Sequence, residues 1–126
     1  MNKDIINPNN PMKKVYYLST CSTCKRIMDD LNLSNFEQQD IKTTAITADQ
    51  LEQMKEMSGS YESLFSRKAM KFRSMGLNEM TLEEKDYRNY ILDEYTFLKR
   101  PVFIIDDQIF VGNSKKVVEE LKALLN

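Results

Sequence analysis

The chain carries two cysteines, Cys21 and Cys24, separated only by Ser22 and Thr23. Two thiols at this spacing can exchange with a disulfide as a redox pair. They can supply half of a tetrahedral metal site, or they can sit in a core as small apolar groups. The sequence contains no histidine. Mechanisms built on an imidazole base are therefore excluded, and a nucleophilic cysteine here has to be activated by position or by nearby cations. A zinc site is also two ligands short unless carboxylates or a second chain complete it.

The residues around the pair suit the redox reading. "KVYYL" (Lys14–Leu18) is β-branched and aromatic, as a buried strand requires. Ser19 and Thr20 are candidate helix caps, and Cys24, Ile27, Met28 and Leu31 then recur at helical spacing on one side. The pattern is strand, turn, cysteine, helix. It puts Cys21 near the first turn and Cys24 on the apolar stripe, as neighbours on the helix surface. The unsatisfied N–H groups of a helix start favour a thiolate, which is the reactive form.

The remaining elements follow from the same patterns. "NFEQQDI" (Asn35–Ile41) reads as a second strand. "TADQLEQMKEM" (Thr47–Met57) reads as a helix capped by Thr47 and stopped by Ser58-Gly59-Ser60. "SLFSRKAMKFRSMG" gives a further helix closed by Gly76. "TLEEKDYRNYILDEY" gives another, with a capping box of Thr81 and Glu84 and an otherwise solvated face. Met28, Met54, Met57 and Met70 fit apolar stripes and are assigned to the core. "RPVFIIDDQIFVG" (Arg100–Gly112) reads as a hairpin turning at Asp106-Asp107-Gln108. "SKKVVEELKALL" closes the chain as an amphipathic helix capped by Ser114, with Val117, Val118, Leu121, Leu124 and Leu125 facing inward.

Composition narrows the function classes. The 126 residues fit one domain, expected over 14–126 behind a flexible Asn- and Pro-rich lead-in at 1–13. With 18 basic and 19 acidic residues the net charge is −1, which gives no basic footprint for nucleic acid. No apolar stretch is long enough to span a bilayer, and "MNKDIINPNNPMKK" has no signal-peptide core. The expected location is cytoplasmic, where thiols stay reduced and a Cys-x-x-Cys serves catalysis or metal binding more often than stapling.

With the pair directly after the first strand, the chain resembles thioredoxin-fold proteins. "SRKAMKFRSMGL" and "FLKRPVFIIDDQIFVG" are similar to the arsenate reductase (ArsC) family, which includes the Spx regulators. The resemblance runs from Lys14 to Leu125. It implies an α/β, thioredoxin-like fold with a mixed four-stranded sheet and helices on both faces. The order is β-α-β, a helical insertion over about residues 47–98, then β-β-α. Cys21 falls where the family has its nucleophile, and Cys24 matches the second cysteine of the Spx type. Arg67 falls at an oxyanion-binding arginine. Arg100 matches the arginine before the family's cis-proline, here Pro101, which in this fold faces the cysteines and holds a substrate backbone.

The resemblance also has gaps. Tyr17 stands where the family has a histidine, and Lys25 stands at an arginine position as a substitute oxyanion ligand. Asn113-Ser114-Lys115 follow Gly112 without the third oxyanion arginine. These departures argue against efficient arsenate reduction.

Two functions are implied. One is a thiol–disulfide oxidoreductase in which Cys21 attacks, Cys24 resolves, and an external reductant resets the pair. That reductant is glutathione, glutaredoxin or thioredoxin, and no cofactor is bound. The other is an Spx-like redox-sensing regulator that binds the α subunit of RNA polymerase, with Gly59 near the contact loop. Neither implies direct nucleic-acid or membrane contact.

Overall fold

In the computed structural model, which describes residues 12–126, β1 spans Lys13–Tyr17 and α1 spans Ser22–Asp29. The strand therefore starts one residue earlier than its sequence pattern suggests. Lys13 belongs to it and not to the lead-in, most of which lies outside the described residues. The short strand β2 (Glu37–Asp40) follows. Later in the chain come β3 (Val102–Ile105), β4 (Gln108–Val111) and α5 (Lys115–Leu125). Between them lie α2 (Ala48–Ser58), α3 (Met70–Ser74) and α4 (Glu84–Asp93), interspersed with 3-10 turns at Glu62–Leu64, Leu77–Glu79 and Tyr95–Phe97.

The sheet has the order β2-β1-β3-β4, with β1 parallel to β2 and antiparallel to β3, and β3 antiparallel to β4. The parallel pair is joined through α1, as a parallel connection requires. The hairpin turns at Asp106 and Asp107, where Asp106 adopts a left-handed φ of 57°. This conformation is less strained for aspartate than for most side chains.

The chain divides into two compact units. The first takes the chain up to Asp40 and again from Arg100 to Asn126, and the second is Ile41–Lys99. In the first unit, side chains alternate across the strands, so Val15 of β1 and Phe103 and Ile105 of β3 share a face. Ile27 and Leu31 and Leu121 of α5 close over that face, and Tyr17, Met28, Phe110, Val117, Val118 and Leu125 pack around it. Phe36 meets Phe103 edge-on at 6.1 Å. Leu124, expected to point inward, is instead 49% exposed, because the stripe on α5 is narrower than its run of apolar residues.

In the second unit α2 begins with the expected Thr47 cap, here a full capping box with Gln50, and ends on left-handed Gly59. Two expectations fail there. The stretch from Ser63 to Gly76 is not one helix. Leu64 and Phe65 are fully buried, and Ser66 and Lys99 N–H bond the carbonyls of Phe97 and Leu64, which holds residues 64–66 against 97–99. Phe65 packs against Phe72, Tyr87 and Phe97. Only Met70–Ser74 is left to form a helix, and Met70 is 89% exposed rather than in the core.

The capping box of α4 uses Glu83 and Asp86, not Thr81 and Glu84. Glu84 is otherwise engaged: its two carboxylate oxygens accept from the amides of Tyr61 and Glu62 at 2.7 and 3.0 Å. This helix is not merely a solvated face, since Tyr87 and Ile91 are buried.

Candidate active site

The connection from β1 to α1 is a tight turn. The Cys21 N–H donates to the Leu18 carbonyl at 2.9 Å, closing the turn over Ser19 and Thr20. Neither of those residues caps the helix. Cys21 does, with extended dihedrals of −98° and 109°, and its carbonyl accepts from the Lys25 N–H at 3.2 Å. Leu18 is buried and anchors one side of the turn. On the other side, the Ser19 N–H donates to Asp40 Oδ1 at 3.2 Å. Asp40 ends β2 directly opposite Tyr17 in the parallel ladder, so the strand register delivers this carboxylate. Sequence reasoning missed Asp40, because nothing local marks an aspartate at a strand end as a partner for a turn 21 residues away.

The pair sits where this turn puts it. Both cysteines are free thiols, with Cys21 partly exposed and Cys24 fully buried one turn into α1. Partial burial works against ionisation of Cys21, and other groups outweigh it. These are the Cys24 amide, the Cys24 thiol, the positive Arg100 and the Thr23 amide, and together they lower Cys21 from its ordinary value. The sulfur makes no capping bond of ordinary geometry, so the amides act through proximity at the helix start. Cys24 goes the other way. Burial, with the neighbouring Cys21, pushes it up to about 12 despite the Leu18 backbone and Arg100. The two thiols act on each other as neighbours, favouring the anion on Cys21 and the protonated form of Cys24.

Of the other candidates, Arg100 is in the first unit with the pair and is the cation acting on both thiols. The Arg100–Pro101 peptide bond is cis, Pro101 is buried, and its carbonyl accepts from the Gly112 N–H at 2.9 Å. Gly112 has φ +90°, the left-handed region that favours glycine. Lys25 is exposed on α1. Tyr17 packs against the hydrophobic core. Arg67 lies in the second unit, where its guanidinium meets Glu62 at 2.9 Å and the Tyr87 hydroxyl at 2.8 Å. Among the described residues there is no group of three or more His, Cys, Asp or Glu that could hold a metal ion. No helix among them is long and apolar enough to cross a membrane.

A mixed four-stranded sheet with a cysteine at the head of the first helix defines a thioredoxin-like protein. The chain belongs to the ArsC family, whose profile matches residues 16–121. No curated protein matches its sequence. Solved structures do resemble it. A possible arsenate reductase from Streptococcus mutans UA159 is 24% identical with a TM-score of 0.69, covering 89% of this chain and 98% of that one. An arsenate reductase (ArsC) related protein from Brucella melitensis is 21% identical with a TM-score of 0.67, covering 90% and 97%. An arsenate reductase from Vibrio cholerae is 17% identical with a TM-score of 0.70, covering 90% and 99%.

Proposed function

We propose that the chain is a thiol–disulfide oxidoreductase in which Cys21 is the nucleophile and Cys24 the resolving thiol. One observation carries the reading: Cys21 caps α1 and is partly exposed while Cys24, three residues on, is fully buried, a placement that lowers the acidity constant of the buried thiol and raises that of the exposed one. Divergent titration of neighbouring groups is how one site assigns two roles.

The Cys21 thiolate attacks a substrate disulfide, forms a mixed disulfide and releases one substrate thiolate. Cys24 gives up its proton and attacks the Cys21 sulfur, which expels the second substrate thiolate and leaves a Cys21–Cys24 disulfide. Two electrons have passed to the substrate. An external dithiol, or two glutathione molecules, returns two electrons and two protons to the pair. Arg100 favours the anionic form of Cys21, and Pro101 is suited to hold a substrate backbone beside it. Arg67 and Lys25 are candidate anion ligands, and Tyr17 is structural. With Tyr17 and Lys25 in place of the family's histidine and arginine, arsenate is a poor substrate.

The experiment is reduction of a small disulfide with glutathione and glutaredoxin, or with thioredoxin, as electron source. Turnover should vanish in Cys21→Ser, and in Cys24→Ser the Cys21 mixed disulfide should accumulate and be visible by mass. Undiminished turnover in Cys21→Ser would sink the proposal. The same pair could serve a redox switch. Oxidation-dependent capture of the carboxy-terminal domain of RNA polymerase α, without reductase turnover, would assign the chain to that Spx-like role.

A further inference from the structure

We propose that Asp40 is a positioning residue for the redox pair, acting through the Ser19 amide to hold the turn that presents Cys21 at the head of α1. This rests on the oxidoreductase reading of the pair. The turn is short and partly exposed, and two ties define it. One is internal, from Cys21 N–H to the Leu18 carbonyl at 2.9 Å. The other comes from outside the turn, from Ser19 N–H to Asp40 Oδ1 at 3.2 Å. The second tie is longer and exposed, and its acceptor is a carboxylate, which strengthens a hydrogen bond relative to a neutral acceptor.

Its source matters as well. The β1–β2 register sets Asp40 beside Tyr17, two residues before Ser19, so a rigid ladder supplies the acceptor. What it fixes is the backbone leading into Cys21. The anion there depends on the amides of Cys24 and Thr23 and on the Cys24 thiol, and all three are aimed by the way the chain enters α1.

A carboxylate near a nucleophilic thiolate opposes ionisation if its charge is what counts. If its hydrogen bond is what counts, it supports ionisation. Charge and bond therefore predict opposite signs. Asp40→Asn removes the charge and keeps an oxygen acceptor, whereas Asp40→Leu removes both. The alkylation rate of Cys21, followed by peptide mapping across pH, separates the two. In Asp40→Asn the midpoint should stay at or below that of the unaltered protein. In Asp40→Leu it should rise by about half a pH unit, a roughly threefold fall in ionised fraction well below the midpoint.

Equal profiles for the two variants, both natively folded, would overturn the proposal alone. An ordinary thiol midpoint for Cys21 in the unaltered protein would overturn the oxidoreductase reading and this inference with it. Should Asp40→Leu not fold, exchange of the Ser19 amide in the unaltered protein decides. Slow exchange supports the tie, and exchange at the rate of a free amide overturns it.

Discussion

Iodoacetamide added to the reduced protein at pH 7 should modify Cys21 and spare Cys24, and the ratio can be worked out. A thiol with a pKa of 9.0 is about 1% ionised at pH 7, and Cys21 lies on the more ionised side of that. Cys24, pushed up to about 12, is ionised to about one part in 10⁵. The thiolate populations therefore differ by at least about 1,000-fold. The more basic sulfur is the better nucleophile per anion, and for a Brønsted slope of about 0.4–0.5 this returns a factor of roughly 16 to 32 to Cys24. The expected preference is thus at least about 30- to 60-fold, before the full burial of Cys24 restricts the reagent. Quenched time points and peptide mapping read the two rates. A parallel sample in denaturant should bring them together, because the preference is a property of the fold. Labelling of Cys24 within about tenfold of Cys21 in the folded protein would refute the reasoning.

Arg100→Met removes the cation acting on the pair, so the Cys21 alkylation midpoint should move to higher pH, and an unmoved profile would place the cause elsewhere. Leu121→Ala empties a fully buried position beside Val15, Ile27 and Phe103 and should lower unfolding stability by about 2–5 kcal/mol, read from the denaturant midpoint. Glu84→Ala strips the acceptor from the Tyr61 and Glu62 amides and should cost about 1 kcal/mol, since water replaces part of what is lost at that exposed site.

Much of the first unit was legible because its signals are local. Apolar spacing from Cys24 to Leu31 and the runs Val102–Ile105 and Ile109–Val111 gave the helix and hairpin, and the structure places both. The positions of the thiols follow from the same spacing. What was not legible depends on long-range partners. Ser19 and Thr20 look like caps, yet a turn closed by Leu18 and tied by Asp40 hands that position to Cys21. Thr81 and Glu84 look like a capping box, yet Glu84 serves two amides 22 and 23 residues away. Residues 63–76 have helical composition, but pairing of residues 64–66 with 97–99 and the aromatic cluster around Phe65 override it.

The sheet of the first unit is assembled from two lengths of chain, with the whole of Ile41–Lys99 synthesised between them. During translation the cysteines leave the ribosome long before Arg100 exists. Until that late segment pairs with the early strand, the thiols lack Arg100, the cation that acts on both of them, and the β3 side chains that pack with Ile27 and Leu31. The full difference between the two sulfurs is therefore a property of the finished chain.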